Sequence, residues 1–177
     1  MTGSGADKKF VFVLGGARSG KSDFALRLSD DLSGRKVFFA TAEPLDDEMR
    51  LRIERHRDSR GEKWETVEEP VDVVEGIRAV DGGGVVVLDC LTLWLTNLMG
   101  AGLGDEEILS RVKALSEACA SSGASIVAVS NEVGLGVVPE NRLARRFGDL
   151  SGSANRLMAE AADEVYFLTA GIPVKVK

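Results

Sequence analysis

Short runs of apolar residues alternate along this chain with longer stretches of mixed polarity. Residues 10–14 (Phe-Val-Phe-Val-Leu) are all apolar, which is typical of a strand covered on both faces of a parallel sheet. Similar runs recur between stretches in which apolar residues repeat at helical spacing, so the pattern predicts a series of βα units. The predicted strands are 10–14, 36–40, 85–89, 125–130, 165–169 and 174–176.

The stretches between these strands predict helices. Leu45, Met49 and Ile53 recur at every fourth position, which indicates one helix from residue 45 to about residue 57. In the longest stretch, which ends at residue 162, the pattern leaves open a break near Ser151. The predicted helices are 21–32, 45–57, 91–99, 105–121 and 140–162.

These elements predict one α/β domain over residues 10–177, preceded by a short flexible tail at residues 1–9. A mostly parallel central sheet would be flanked by helices in a three-layer fold. Lys175 and Lys177 alternate with apolar residues in the last strand, as expected of an exposed edge strand, and we expect it to be antiparallel.

Composition narrows the class of protein. With 177 residues, 44% of them hydrophobic, the chain can form one buried core. It has neither a secretory signal pattern at its start nor the roughly 18 consecutive apolar residues of a membrane span, so a cytoplasmic location is expected. A net charge of −6 argues against nucleic-acid binding. Cys90 and Cys119 have no metal-ligand spacing and are interpreted as reduced core thiols.

A glycine-rich segment between the first strand and the first helix fits the pattern G-x-x-x-x-G-K-[ST]. Glycines let backbone N–H groups turn toward phosphate oxygens, and the helix N-terminus favours negative charge. Lys21 would neutralise the β- and γ-phosphates, and Ser22 would be a Mg²⁺ ligand. A chance glycine turn is the alternative, but the strand–turn–helix context favours a nucleoside triphosphate site and a P-loop NTPase-like fold. This phosphate loop comprises Gly15, Gly16, Ala17, Arg18, Ser19, Gly20, Lys21 and Ser22.

Asp89 ends the apolar strand 85–89 and is the candidate second metal ligand. Ligands of open α/β sheets bind at the carboxyl ends of the strands, where the phosphate loop also lies, and a carboxylate there can hold Mg²⁺ directly or through water. The alternative is that Asp89 caps the helix beginning near Leu91. The sequence contains no Asn-Lys-x-Asp or Thr-Lys-x-Asp run of the kind that reads guanine in regulatory GTPases.

The only histidine, His56, lies in a segment with five acidic residues and five arginines between residues 46 and 60. Such a segment is typical of a solvent-exposed helix with many ion pairs, in which His56 would be a surface residue. However, His56 follows Ile53 by three positions and therefore shares its stripe of the helix. Neighbouring arginines would depress the imidazole pKa and bind phosphate oxygens. A neutral imidazole could then attack phosphorus covalently, and both interpretations stay open at this point.

Four segments together resemble the adenosylcobinamide kinase/adenosylcobinamide-phosphate guanylyltransferase family of cobalamin biosynthesis. They are the phosphate loop, the segment 45–56 that leads to His56, residues 89–98 (Asp-Cys-Leu-Thr-Leu-Trp-Leu-Thr-Asn-Leu), and residues 130–145 with Ser-Asn-Glu-Val-Gly-Leu-Gly-Val-Val-Pro. The resemblance covers the chain from about Phe10 to Lys177.

The resemblance implies two reactions and their site residues. ATP or GTP would phosphorylate the aminopropanol hydroxyl of adenosylcobinamide, and GTP would then donate GMP to that phosphate through a covalent histidine–GMP intermediate at His56. Because one reaction occurs at the γ-phosphorus and the other at the α-phosphorus, the helix with His56 is expected to move. The resemblance also implies a homo-oligomer, a homotrimer in relatives. By the same matching, GTP contacts fall on Ala40, Thr41, Ala42, Arg57, Asp58, Ser59, Arg60, Glu68 and Asp89.

Two rival functions remain at this level. A small-molecule kinase without nucleotidyl transfer would use the phosphate loop alone, with His56 on the surface. A non-catalytic regulator would bind or exchange nucleotide and leave cobinamide unchanged. Trapping GMP on the protein from α-labelled GTP distinguishes the bifunctional enzyme from a simple kinase.

Overall fold

The computed structural model describes residues 8–44, 46–61, 63–80 and 83–177, apart from the side chains at positions 52, 56 and 59. Strands and helices alternate along most of this length. The strands are β1 (Phe10–Gly15), β2 (Lys36–Ala40), β3 (Glu65–Glu68), β4 (Val85–Asp89), β5 (Ser125–Asn131), β6 (Glu164–Thr169) and β7 (Ile172–Lys175). The helices are α1 (Lys21–Asp30), α2 (Asp47–Arg60), α3 (Val73–Arg78), α4 (Leu91–Gly100), α5 (Asp105–Ser121) and α6 (Arg142–Ala161).

All seven strands form one sheet in the order β3-β2-β4-β5-β1-β6-β7. The first six are parallel to their neighbours, and β7 pairs with β6 in the antiparallel sense. The predicted three-layer α/β fold with an antiparallel edge strand is therefore confirmed. Because the six strands are parallel, their carboxyl ends meet at one edge of the sheet, and the loops that follow them share that edge.

Side chains alternate between two buried faces of the sheet. Phe12 and Leu88 pack in a cluster with α3, α4, α5 and α6, whereas Val13 and Val87 pack in a second cluster that includes α1 residues. Strands covered on both faces need apolar residues at consecutive positions. This is why the uninterrupted apolar runs identified their strands correctly.

Several predicted boundaries differ from the structure: α1 ends at Asp30 and not at residue 32, and β7 covers Ile172–Lys175 and not residues 174–176. Helix α6 begins at Arg142, two residues later than predicted. Helix α6 continues through Ser151, which is buried, so the break left open there does not occur. Its buried residues Leu150, Ala154 and Met158 recur at every fourth position and hold one face on the core. Helix α2 extends to Arg60 and begins after Asp46, whose side chain accepts a hydrogen bond from the Met49 N–H at 2.7 Å. Leu45, the predicted first residue, lies outside the described residues.

The sequence-based interpretation did not identify β3 and α3. β3 is four residues long with glutamate at both ends, and its position at the edge of the sheet removes the need for an apolar run. α3 contains Gly76, which normally disfavours a helix. In the structure a Cβ at Gly76 would lie 2.5 Å from the Phe39 ring, so this glycine lets α3 approach the sheet closely.

Lys9 is bound to the sheet although the sequence-based interpretation placed it in the tail. Its backbone oxygen accepts a hydrogen bond from the Ile126 N–H at 2.8 Å, and its ammonium group lies 2.6 Å from the Glu164 carboxylate. Hydrogen bonds from Lys9 and then Tyr166 lower the pKa of Glu164 to about 2. These contacts therefore hold Lys9, the residue immediately before β1, against the sheet.

Both cysteines are buried free thiols, as predicted. Burial raises the pKa of Cys90 to about 11 and that of Cys119 to about 12, so neither is a reactive thiolate near neutral pH. No helix in the described part of the chain combines the length and the apolar character that crossing a membrane requires.

Candidate active site

The phosphate loop lies between β1 and α1, at the carboxyl edge of the sheet. Inside the loop the Gly16 carbonyl accepts a hydrogen bond from the Ser19 N–H at 3.3 Å. The Lys21 ammonium group donates to the same carbonyl at 2.6 Å and lies 3.5 Å from the Ser19 hydroxyl. Lys21 is 7% exposed. The lysine is thus folded over the loop, with its charge beside the groups that would surround a phosphate.

Two contacts from distant parts of the chain support the phosphate loop. The Glu132 N–H donates to the Gly15 carbonyl at 3.0 Å, and the Gly171 N–H donates to the Ser19 carbonyl at 3.0 Å. Glu132 follows β5, and Gly171 forms the turn between β6 and β7. The sequence-based interpretation missed both residues because their roles come from their backbone N–H groups, which any residue except proline supplies.

Gly15 is required by close packing at the start of the loop. A Cβ at this position would lie 2.6 Å from the Leu168 carbonyl oxygen and 2.7 Å from the Ser19 hydroxyl oxygen. Both distances are shorter than van der Waals contact, and the carbonyl belongs to the backbone of β6, which cannot move easily. The neighbouring Gly16 is different, because a Cβ there meets nothing within 4 Å.

We expect Gly15→Ala to lower the free energy of unfolding by about 1–3 kcal/mol, the usual cost of forcing extra atoms into a packed region. Nucleotide affinity should fall with it, because the loop must shift to relieve the clash. Denaturant unfolding and a GTP titration measure the two effects. Gly16→Ala is the matched control and should unfold like wild type, so equal stability of the two variants would contradict this account.

Thr41 joins the carboxyl ends of β2 and β4. Its fully buried hydroxyl donates to the Cys90 carbonyl and accepts from the Cys90 N–H, both at 2.8 Å. Its own N–H donates to the Asp89 carbonyl at 3.3 Å, and its carbonyl accepts from the Asn97 side chain at 2.8 Å. These bonds fix the backbone from the Asp89 carbonyl through Cys90. The N-cap residue of α4 is Cys90 and not Asp89.

A second group of polar side chains fixes the end of β5. Ser130 donates to the Asn155 side chain at 2.7 Å, and Asn155 donates to the Asn131 carbonyl at 3.1 Å. The Asn131 side chain donates to Thr92 at 2.9 Å, which connects β5 to α4. Thr92, Ser130 and Asn131 belong to segments that carried the family resemblance, but the sequence assigned no individual role to them, and it did not single out Asn155. The available signal was polar residues at the end of an apolar strand and an asparagine on the buried side of α6.

Helix α2 and the ends of β2 and β3 enclose a cleft of about 140 Å³. Arg57 on α2 lies 3.8 Å from Glu68, the last residue of β3. Ile53 lines this cleft and is half-buried, and Met49 one turn earlier is also half-buried. These are the two members of the predicted inward stripe whose side chains the structure describes. Position 56 lies in the backbone of α2, but the side chains of His56 and Ser59 are outside the described part of the structure. The cleft is lined by Ala42, Pro44, Arg50, Ile53, Glu54, Arg57 and Glu68.

Arg60, an expected GTP contact, is a buried residue at the end of α2. It is 9% exposed, its guanidinium group stacks 3.9 Å from the centre of the Phe38 ring, and it donates to the Thr66 hydroxyl at 3.2 Å. Burial lowers the pKa of Arg60, and the Asp89 carboxylate opposes that shift. Asp58 lines a separate, wider groove beside α1. The structure thus pairs Arg57 with Glu68 beside the α2 cleft, whereas Asp58 and Arg60 line the groove beside α1. Arg60 is still close enough to Asp89 and Glu68 for their charges to act on its pKa.

The strand order sets the distances along the carboxyl edge. The phosphate loop follows β1, Asp89 ends β4 two strands away, and Glu68 ends β3 four strands away. With about 4.8 Å between neighbouring strands, these separations are roughly 10 Å and 19 Å. Ala40, Thr41 and Ala42 lie between, at the end of β2. Apart from Asp58 and Arg60, the predicted site residues whose side chains are described extend along this edge from the phosphate loop to the α2 cleft.

Ser22 and Asp89 offer the hard oxygen donors that Mg²⁺ prefers. Ser22 is half-buried in the first turn of α1, and Asp89 is half-buried at the end of β4. In the described ranges, no three His, Cys, Asp or Glu side chains are grouped so that they could hold a metal ion by themselves. This donor set fits Mg²⁺ bound jointly with phosphate oxygens, because Mg²⁺ usually keeps waters and takes only one or two protein ligands.

Comparison with protein families finds a match over residues 11–176, to the family described as cobinamide kinase / cobinamide phosphate guanyltransferase. A bifunctional adenosylcobalamin biosynthesis protein CobU of Escherichia coli is 43% identical, with 94% of this chain and 99% of that protein covered. The CobP protein of Pseudomonas aeruginosa, also called a bifunctional adenosylcobalamin biosynthesis protein, is 40% identical over 93% of this chain and 95% of its own length.

Solved structures with a similar fold have much lower sequence identity. A protein from Pyrococcus horikoshii matches with a TM-score of 0.58 and 12% identity, covering 96% of this chain and 86% of its own. An ATPase from a bacterial type III secretion system matches with a TM-score of 0.51 and 15% identity, covering 91% of this chain and 51% of its own. At these identities the likenesses concern the fold alone, and they agree with the predicted three-layer α/β architecture.

Proposed function

The chain belongs to the cobinamide kinase / cobinamide phosphate guanyltransferase family, and from this premise we propose how its residues carry out the two reactions. It is a bifunctional enzyme of adenosylcobalamin biosynthesis. The observation that carries this conclusion is the family match over residues 11–176, which includes both the phosphate loop and α2. The roles given below to individual residues are the proposal.

In the kinase reaction the phosphate loop holds ATP or GTP. Backbone N–H groups at the start of α1 and the Lys21 ammonium group bind the β- and γ-phosphates. The hydroxyl of adenosylcobinamide attacks the γ-phosphorus in line, the bond to the β–γ bridging oxygen breaks, and the nucleoside diphosphate leaves. The position of Lys21, buried against Gly16, supports this role because its charge is already directed at the loop.

We assign Ser22 and Asp89 as the residues that would hold Mg²⁺ in both reactions. The ion would neutralise charge on the phosphate oxygens as the transition state forms. Asp89 suits this role because it ends β4 at the carboxyl edge of the sheet and because hydrogen bonds with Thr41 fix the backbone that follows its Cα atom.

We expect Asp89→Asn to lower the turnover of both reactions about 10- to 100-fold and to raise the Mg²⁺ concentration needed for half-maximal rate. Asparagine has the same shape, so the melting temperature should stay close to that of wild type. A Mg²⁺ titration of initial rates checks the first expectation. Asp30→Asn, an exposed carboxylate at the end of α1, is the control. An unchanged Mg²⁺ dependence in Asp89→Asn would reduce Asp89 to a structural residue.

In the guanylyltransferase reaction we assign the nucleophile to His56. An imidazole nitrogen attacks the α-phosphorus of GTP, the bond to the α–β bridging oxygen breaks, and pyrophosphate leaves. A phosphate oxygen of cobinamide phosphate then attacks the same phosphorus, and cleavage of the P–N bond regenerates the imidazole. Arg57 and Glu68, beside the cleft under α2, are assigned to GTP binding, together with residues 40–42 at the end of β2.

We also propose that α2 and the phosphate loop approach each other between the two reactions. The α2 cleft lies at the end of β3, roughly 19 Å along the edge from the loop after β1. Lys21 holds the γ-phosphate in the kinase reaction, and His56 attacks the α-phosphorus in the transfer reaction. Across this distance the two reactions need two different nucleotide positions, unless α2 moves toward the loop. Exposed charged residues predominate on α2. A helix with few buried apolar side chains can be displaced at a small cost in free energy.

Incubation of the purified protein with GTP, Mg²⁺ and adenosylcobinamide tests the function as a whole. Mass spectrometry should detect adenosylcobinamide phosphate first and adenosylcobinamide-GDP with pyrophosphate later. The phosphate alone would identify a simple kinase, and unchanged cobinamide would identify a nucleotide-binding regulator. Either result would overturn the proposal.

We carry one further assignment over from the resemblance and propose that the protein forms a homo-oligomer, such as the homotrimer found in relatives. We also propose that it works in the cytoplasm, the location expected from the sequence. Multi-angle light scattering measures the oligomeric state, and a monomeric mass at working concentration would contradict it.

A further inference from the structure

An exposed apolar patch lies between β5 and α6. Leu135 is 80% exposed, Val137 95% and Val138 74%, which is unusual for large aliphatic side chains so close together in the sequence. Exposed apolar groups gathered in this way commonly mark a binding surface. We define the β5–α6 patch as Val133, Leu135, Val137, Val138 and Leu143.

Polar bonds, and not apolar packing, hold the segment that carries this patch. At its beginning the Glu132 carboxylate accepts a hydrogen bond from the Gly134 N–H at 2.7 Å. Near its end Arg145 donates to the Pro139 carbonyl at 2.9 Å, and the Asn141 side chain accepts from the Ala144 N–H at 3.1 Å. The backbone is therefore anchored at both ends while the apolar side chains point to solvent.

The segment begins directly beside the phosphate loop. In the sheet Asn131 is paired with Gly15, and the next residue, Glu132, donates its N–H to the Gly15 carbonyl at 3.0 Å. A kinase must bring its acceptor hydroxyl within contact distance of the γ-phosphate. The acceptor molecule therefore has to lie against one of the segments that border the loop, and this segment is one of them.

We propose that the β5–α6 patch binds the corrin ring of the cobinamide substrate and thereby places its hydroxyl at the phosphate loop. This inference rests on the function proposed above and names a substrate-binding surface for it. The rim of a corrin ring carries methyl groups and side chains that end in carboxamides. Methyl groups pack on valine and leucine, and carboxamides pair with the exposed peptide groups of a segment without regular structure. The charged phosphates and polar ribose of a nucleotide would gain little from contact with these apolar side chains.

The test is a triple variant, Leu135→Asn, Val137→Thr and Val138→Thr, which keeps side-chain size similar and removes apolar surface at exposed positions. We expect the KM for adenosylcobinamide to rise about tenfold or more, because apolar burial on binding is lost, while the KM for GTP stays within about twofold of wild type. Equilibrium dialysis, read by the visible absorbance of adenosylcobinamide, should show the same loss of affinity. GMP adduct formation from GTP alone should be unchanged.

The matched control is Val174→Thr with Val176→Thr, two exposed valines at the C-terminal end, 48% and 61% exposed. It should leave both KM values unchanged. An unchanged KM for adenosylcobinamide in the triple variant would overturn the inference, as would an equal rise in both KM values. A lower mass of the triple variant by light scattering would assign the patch to a second copy of the chain and overturn it too.

The proposed function fails separately from this inference. A wild-type protein that phosphorylates no cobinamide would overturn the proposed function and the inference with it. An active wild type with an equally active triple variant would overturn only the role of the patch. Thermal unfolding should be unaffected, because the substituted side chains make no buried contacts.

Discussion

Lys21→Ala is expected to nearly abolish cobinamide phosphorylation and to weaken triphosphate binding. Loss of a charge-assisted hydrogen bond to phosphate costs about 1.5–3 kcal/mol in binding alone. The loss in the transition state is larger, because charge moves onto the β–γ bridging oxygen as the γ-phosphoryl group leaves. The ammonium group is buried against the Gly16 carbonyl and beside Ser19, so its loss removes a positive charge that lies against the loop.

Initial rates at saturating nucleotide and equilibrium binding of GTP measure the two parts of this effect. Lys113→Ala, an exposed lysine on α5, is the matched control and should behave like wild type. Lys21→Met keeps an unbranched apolar stem and separates loss of charge from loss of packing. A Lys21→Ala rate within about threefold of wild type, less than 1 kcal/mol in activation free energy, would contradict the assignment of the phosphate loop.

The parts of the fold that could be predicted are those whose structure follows from the residue types within one continuous segment. β1, β4 and β5 are buried on both faces, and their consecutive apolar residues identify them in the sequence. The phosphate loop is equally local, because strand, glycines, lysine and helix follow one another within 20 residues of the chain. β3 and α3 were missed because their stability comes from neighbours, such as the Phe39 ring that packs where a Gly76 side chain would lie.

The surroundings of the candidate site could not be predicted because they depend on pairs of residues far apart in the chain. The bonds between Thr41 and Cys90 span 49 positions, and the bond from Asn97 to Thr41 spans 56. Nothing in the residues around Thr41 indicates such partners. The segment 130–145 contributed to the resemblance through its sequence, but only the structure reveals that its aliphatic side chains are exposed.

The same distinction applies to the two groups of site residues. The motif at 15–22 located a nucleotide site by physical argument alone, whereas His56 gained its role from resemblance. In the structure the phosphate loop follows β1 and the α2 cleft lies at the end of β3. Strands β5, β4 and β2 lie between β1 and β3 in the sheet. The two activities therefore make different demands on different residues, and they should be separable by substitution.

His56→Ala should eliminate guanylyl transfer and leave cobinamide phosphorylation substantially intact. Phosphorylation needs an in-line hydroxyl, a neutralised γ-phosphate and Mg²⁺, none of which requires an imidazole. Transfer through a covalent intermediate needs a nitrogen nucleophile, and the chain contains only one histidine. His56→Asn, closer in size, should give the same result. Leu51→Ala, an exposed position on the same helix, is the control for disturbance of α2.

Incubation with α-labelled GTP measures the intermediate directly. Wild type and Leu51→Ala should retain label on the protein, and both His56 variants should retain none while still forming cobinamide phosphate. A phosphoramidate is labile in acid and stable in base, unlike a serine phosphodiester, so mild acid should release the wild-type label. Label that persists on His56→Ala would exclude His56 as the nucleophile. A wild-type adduct that survives acid would exclude it too, because attack by a histidine nitrogen forms a P–N bond and that bond breaks in acid.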